Sequence, residues 1–265
     1  MQVVSIQPGD SPVVLGQPHG GTFVPDDIAA RLNENGRGLA DTDWHINRLY
    51  QGLLANATVV QSHVHRYVID CNRDPGGASL YPGQNTTTLV PLTDFDGQGI
   101  WRAGQVPSTD EIEDRRQRYH APYHAALAQE LDRVKARHGI AVLYDCHSIR
   151  SRIPFLFDGT LPDLNIGTDG GMTCASEIEA IAHEFSASSP YSTVLNGRFR
   201  GGWTTRHYGR PAEGVHAIQM ELAQSTYLAA ETPPWSYDDR KAKRLRRWLA
   251  DILDVIEDTA LELAA

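Results

Sequence analysis

The chain has 265 residues, 41% hydrophobic and 22% charged, which is enough apolar material for a substantial core. A formal net charge of -9 argues against nucleic acid or an anionic membrane as the partner, since either needs a basic field, and leaves room for a cationic pocket inside an acidic shell. The three cysteines, Cys71, Cys146 and Cys174, are odd in number and widely spaced, so they suggest no disulfide framework and form no Cys-x-x-Cys metal knuckle.

A reducing, cytoplasmic setting is the natural expectation for such cysteine usage. The opening MQVVSIQPGDSPVV has no basic stretch ahead of a long apolar one, so no secretory leader is expected. No uncharged apolar run approaches the ~18 residues that a membrane span needs.

In chain order, QVVSI and PVVLG read as two short strands around a Pro-Gly-Asp turn. The second runs into Gln17-Pro18-His19-Gly20-Gly21-Thr22, which places His19 at a strand's carboxyl end beside two glycines. Pro25-Asp26-Asp27 opens a short helix, and Asn33 to Gly38 reads as loop. Asp41-Thr42-Asp43-Trp44 then starts a helix, with one aspartate as its cap and Ile46, Leu49, Leu53 and Leu54 at helical spacing. A strand pair is expected at Ala57 to Val60 and Val64 to Ile69, ending in the polar cluster Asp70-Cys71-Asn72-Arg73-Asp74-Pro75.

Gly76 to Val106 is turn-rich and long enough for a lid or binding loop. Ser108-Thr109-Asp110-Glu111 has the capping-box pattern, and a helix is expected from Ile112 to His138 with Pro122 as a kink point. Arg115, Arg116 and Arg118 read as its solvated face. Ala141 to Tyr144 is a short apolar run of buried-strand type that ends in Asp145, Cys146, His147 and Ser148, with Arg150 and Arg152 just beyond. Asp163 to Gly171 reads as loop, and Ala175 to Phe185 as helix. A Gly/Arg loop at Asn196 to Trp203 leads to Thr205 to Arg210. Val215 to Leu222 is the last strand, with Glu221 among apolar neighbours where an unpaired carboxylate is costly. An amphipathic helix over Asp239 to Leu263 closes the chain.

In an open α/β sheet, ligands bind at the carboxyl ends of strands, where this chain puts both histidines. Two histidines and a carboxylate are a common ligand set for catalytic zinc, and His19, His147 and Asp43 (or Asp41) can supply it. Glu221 is then the general base, and Arg73, Arg150, Arg152, Arg206 and Arg210 are the forks for a small anionic substrate. The rivals are weaker. His19-Gly20-Gly21 is like an esterase oxyanion loop, but no Gly-x-Ser-x-Gly follows. Cys146 within a strand is a small hydrophobe before it is a nucleophile. No phosphate-cradling Gly-rich motif is present. A carboxylate-binding protein without turnover would explain the arginines but not Glu221 beside two strand-end histidines.

Five segments, GQPHGGTFVP, DTDWHINRLY, RYVIDCNRDP, LYDCHSIRSRIPFLFDGTLPDLNIGT and NGRFRGGWTTRHYGRPAEGVHAIQMELAQSTYL, closely resemble the N-formylglutamate deformylases (amidohydrolases) of bacterial histidine degradation. The resemblance runs from Pro12 to Tyr227. It implies a relative of the zinc carboxypeptidase and aspartoacylase group: a single α/β domain over residues 1–265, with a central mixed sheet flanked by helices. In that group a His-x-x-Glu supplies two ligands, but here His19 is followed by Gly20, Gly21 and Thr22, so another carboxylate must serve. Asp43 is the choice and Asp41 the alternative, with a divalent metal, zinc first, as cofactor. His147 matches the later ligand histidine, Glu221 the catalytic glutamate, and Asn72-Arg73 the pair that holds a substrate carboxylate. Asp145 and Asp41 are expected to support the ligands from behind. The implied reaction is hydrolysis of N-formyl-L-glutamate to formate and glutamate, with Arg73 also placed to stabilise the oxyanion.

Overall fold

A computed structural model describes residues 2–79 and 83–265. One seven-stranded mixed sheet runs through it, built from β1 (Val4–Gln7), β2 (Val13–Gln17), β3 (Thr58–Ser62), β4 (Ala141–Ile149), β5 (Leu164–Gly167), β6 (Thr193–Leu195) and β7 (Val215–Ala223). The spatial order is β1-β3-β2-β4-β7-β5-β6. Strands β3, β2, β4 and β7 are mutually parallel; β1 and β5 pair antiparallel at the two flanks. The longest parallel ladder joins β4 to β7, from Ala141 opposite Val215 to Ile149 opposite Ala223.

Helices cover both faces, as a parallel sheet requires. The short helices are α1 (Asp26–Ala29), α2 (Glu34–Arg37), α3 (Ile46–Tyr50) and α4 (Thr109–Arg115), followed by α5 (Ala121–His138), α6 (Ser176–Ser188), α7 (Trp203–Tyr208) and α8 (Asp239–Ala264). Side chains alternate along β4. Ala141 and Leu143 pack with Tyr123, Leu127 and Leu131 of α5, whereas Val142, Tyr144 and Cys146 face α3, α6 and α8. Helix α8 buries Leu245, Leu249, Ile252, Leu253 and Ile256 at helical spacing. Each such side chain stabilises the fold by about 1.5–3 kcal/mol relative to exposure.

Several expectations need correction. Asn33 to Gly38 is not plain loop: the Asn33 side chain accepts from Gly36 N and caps α2. Neither Asp41 nor Asp43 caps a helix; α3 starts at Ile46 after His45, which has a left-handed backbone. Val64 to Ile69 makes only a bridge between Val64 and Phe23, and its apolar residues instead fill a core under the loops. Asp163 to Gly171 contains β5, which is held by antiparallel pairing to β7. Strand β4 does not stop at Tyr144 but stays paired through Ile149.

Ser108 does cap α4, accepting from Glu111 N. Glu111 does not return the contact, because its carboxylate bonds Arg31 and Arg115. Arg115 is therefore buried rather than solvated, and it also donates to Val68 O. A π turn at Arg116–His120 precedes Pro122 and absorbs the proline without breaking the helical run. The three cysteines are buried free thiols. Among the described residues no helix is long and apolar enough to cross a membrane.

Candidate active site

The site follows from strand geometry. Residues two apart on a strand share a face, so Asp145 and His147 project from β4 on the side of Ala141 and Leu143. On β7, Gln219 and Glu221 project on the side of Ala217. The parallel register sets Asp145 opposite Gln219 and His147 opposite Glu221, so four polar side chains form a patch beyond the apolar layer. His19, two residues past the end of β2, reaches the same edge.

His19 Nδ1 lies 3.2 Å from His147 Nδ1 and 4.0 Å from Asp43 Oδ2, and His147 Nδ1 lies 3.3 Å from that oxygen. All three residues are buried and converge as a possible metal-holding group. Each ring is oriented from behind. His19 Nε2 is 2.7 Å from Asp70 Oδ1, and His147 Nε2 is 3.1 Å from Asp145 Oδ2. Asp70 takes the Nε2 proton of His19, so His19 Nδ1 is a lone pair, whereas His147 stands between two carboxylates, with Asp43 Oδ2 3.3 Å from Nδ1 and Asp145 Oδ2 3.1 Å from Nε2. Two imidazole Nδ1 atoms and a carboxylate oxygen, the donor types of a metal site, thus face one another.

The spacing agrees. Ligand bonds of about 2.0–2.1 Å in tetrahedral zinc sites put donor atoms about 3.3 Å apart. The residues present therefore fit a divalent cation.

Electrostatics divide the roles. Burial, then Arg66, lowers the His19 ring to about 4 and keeps it neutral. Burial would raise Asp43, but Arg66 at 2.5 Å, with His147 and His19, outweighs it and holds the carboxyl below its ordinary range. Asp43 Oδ2 also accepts from Ser148 N at 3.0 Å. Burial would lower His147, yet Asp145 and Asp43 drive it well upward, so its surroundings favour positive charge there. For Glu221, burial raises the carboxyl above its ordinary range; Asp43 and Asp145 add to this, against the pull of His147 and Arg66.

The group opens into a cavity of about 140 Å³ lined by His19, His147, Glu221, Asn72, Arg73, Arg66 and Arg198 among others. Arg73 is steadied by bonds to Thr87 O, Thr87 Oγ1 and Asn72 O, each at 2.9 Å. Asn72 Oδ1 accepts from Thr204 N at 2.9 Å, and its amide nitrogen is 3.1 Å from His147 Nε2. A Cβ on Gly202 would stand 2.3 Å from that nitrogen, so the close approach requires glycine here.

The structure thus brings together His19, Asp43, His147, Glu221, Asn72, Arg73 and Asp145. It sets the other expected residues apart. Asp41 accepts from Tyr67 Oη and Phe95 N, and burial raises its carboxyl to about 7, but it makes no contact with the triad. Arg150 pairs with Asp96, Arg206 with Asp169 and Arg210 with Glu213, and Arg152 is exposed; none of the four lines the cavity. Sequence reasoning missed Asp70, Arg66, Gln219 and Arg198. Asp70 and Arg66 lie within RYVIDCNRDP, one of the resembling segments, and that was their available signal. Arg198 lines the cavity and bonds the backbone oxygens of Leu156 and Asn85.

A mixed α/β sheet with a buried His/Asp/His group and a buried glutamate at its carboxyl edge defines a hydrolase-type site. The family model for N-formylglutamate amidohydrolase matches residues 11–228. An N-formylglutamate deformylase of Pseudomonas aeruginosa is 44% identical over 262 residues, covering 96% of this chain and 95% of that one. One from Pseudomonas putida is 42% identical over 260 residues, covering 96% of each. The crystal structure of N-formylglutamate amidohydrolase from Ralstonia eutropha JMP134 superposes with a TM-score of 0.81 at 23% identity, covering 98% of both chains. An Agrobacterium tumefaciens protein gives 0.75 at 16%, covering 98% of this chain and 96% of that one, and both likenesses bear on the fold. The chain belongs to the N-formylglutamate amidohydrolase family and is an enzyme that hydrolyses an amide C–N bond.

Proposed function

We propose that this enzyme, acting as one domain over residues 1–265, hydrolyses N-formyl-L-glutamate to formate and L-glutamate in a cytoplasmic histidine-degradation route. The observation that carries the reading is the convergence of His19, Asp43 and His147 beside Glu221 at a cavity that also holds Arg73. The substrate comes from the two relatives above 40% identity, both named for that activity.

His19, Asp43 and His147 would hold a divalent cation, zinc by preference among the metals that take imidazole and carboxylate ligands. Such an ion polarises a carbonyl and brings water towards a pKa of about 7. Asp70 keeps His19 in the tautomer that offers Nδ1, and Asp145 and Asn72 steady the His147 ring at Nε2. The formyl group offers almost no surface to grip, so affinity must come from the glutamate carboxylates. Arg73 binds one of them or faces the oxygen where negative charge develops, and Arg198, which also lines the cavity, takes the other. Glu221 accepts the proton of the attacking water and returns it to the leaving nitrogen. A buried carboxylate with a raised proton affinity suits both steps.

Formate or acetate release from N-formyl-L-glutamate, N-formyl-L-aspartate and N-acetyl-L-glutamate, measured side by side, tests the substrate. The expected kcat/KM is highest for N-formyl-L-glutamate by at least about tenfold, since one methylene in a fitted pocket is worth about 1–3 kcal/mol. A higher value for either alternative would remove N-formyl-L-glutamate as the substrate.

A further inference from the structure

We infer that Gln219 is the positioning residue of the Glu221 general base, held in turn by the backbone at the start of α7. This rests on the proposed role of Glu221. Both ends of the Gln219 carboxamide are assigned by contacts. Its Oε1 accepts from Gly202 N at 2.7 Å, so only Nε2 can face β7's other polar side chain, and Nε2 donates to Glu221 Oε2 at 3.1 Å. Gln219 is buried, and its neighbours leave the amide no room for the flipped assignment: a flip would set NH₂ against N–H at Gly202 and oxygen against oxygen at Glu221.

The contact acts on a carboxylate in an adverse setting. Glu221 lies near Asp43 and Asp145, and among the described residues Gln219 is the only side chain that hydrogen-bonds its carboxylate. Donation to Oε2 fixes the plane of the carboxylate and leaves Oε1 as the oxygen that can take a proton. An amide is suited to this task because it donates without itself titrating in the working range.

Gly202 is itself fixed. Its α-carbon packs against Asn72, whose Oδ1 accepts from Thr204 N two residues on. The start of α7 therefore holds two carboxamides. One reaches the base, and the other comes within 3.1 Å of His147 Nε2. Base and ligand histidine, cross-strand neighbours in the β4–β7 register, share one backbone support.

The test compares Gln219→Met, which removes both bonds at similar volume, with Gln219→Glu, which keeps the acceptor for Gly202 N and loses the donor. Each is made alone and in the Glu221→Gln background. Assays use whichever of the three acyl amino acids the wild type turns over, so a wrong substrate and a wrong role for Gln219 give different results. A misplacement of about 1 Å at a reacting group costs about 100-fold. We expect kcat to fall about 10- to 100-fold in Gln219→Met and further in Gln219→Glu. KM should stay within about threefold, with the thermal midpoint and bound metal at wild-type values. In the Glu221→Gln background the Gln219 changes should add almost nothing, because the positioned group is gone. A kcat within about threefold of wild type in either single variant would overturn the inference. So would an undiminished loss in the Glu221→Gln background, which is what a purely structural tie between β7 and α7 would give. Should Gln219→Met fail to fold, the isosteric Gln219→Glu decides.

Discussion

The two ends of the β4–β7 ladder are equally buried and chemically opposite. All nine residues of each strand are shielded from solvent. At the amino end Ala141, Val142 and Leu143 lie opposite Val215, His216 and Ala217, and all but His216 are apolar. At the carboxyl end Asp145, His147 and Ser148 lie opposite Gln219, Glu221 and Leu222, and the first five are polar. Burial therefore does not mark the site. What separates the two ends is how polar groups are satisfied. The amino end is stabilised mainly by area, with His216 Nδ1 accepting from Ala175 N, whereas each polar group at the other end needs a partner of the right charge and direction. Asp145 faces His147, Gln219 faces Glu221, and Asp43 faces Arg66. His19, His147 and Asp43 stand apart as a group that could hold a cation.

That contrast sets the order of expected effects. His147→Ala removes a proposed ligand and leaves Asp145 with Thr205 Oγ1 as its donor. It should abolish stoichiometric metal binding, read by elemental analysis, and reduce kcat/KM by at least about 10³-fold. Retained metal with near-wild-type activity would show that the triad is not the metal centre. Glu221→Gln is isosteric and should keep the metal and substrate affinity while kcat falls about 10²–10⁴-fold, the range for general acid–base catalysis. Unchanged kcat would return the site to a binding role. At the other end of the same ladder, Leu143→Ala should cost about 2–5 kcal/mol of stability as a core cavity in a urea titration. Its kcat per folded molecule should stay within about twofold of wild type. A large loss of kcat there would mean that the two ends are not independent.

The sequence made the strand-borne part of this contrast legible. His147 and Glu221 interrupt apolar runs, where a polar residue has a reason to be, and His19 follows β2 directly. Asp43 was open to two readings, because an aspartate before a helix is ordinarily a cap. In the fold α3 starts at Ile46 with no side-chain cap, which leaves the Asp43 carboxylate to Arg66 and Ser148 N. Asp70 and Arg66 were not legible from periodicity. They lie in a turn segment whose link to His19 and Asp43 spans 51 and 23 positions and exists only after folding.

Val64 to Ile69 misled for a related reason. An apolar run signals burial, and here the burial is beneath loops rather than within a ladder. The arginines after β4 and in and beyond α7 fall in polar segments of the sequence, yet Asp96, Asp169 and Glu213 take Arg150, Arg206 and Arg210 as ion pairs. Arg198 reaches the cavity from a loop whose position depends on β5 and β6, strands of four and three residues that a sequence pattern barely registers.

The most direct test of the account measures bound metal and formate release from N-formyl-L-glutamate on one purified sample as isolated, after exhaustive chelation, and after zinc is restored. The account predicts about one divalent ion per chain, activity lost in step with its removal, and activity regained with its return. Undiminished turnover in a sample proven free of metal would contradict the central claim that His19, Asp43 and His147 converge to hold a catalytic cation.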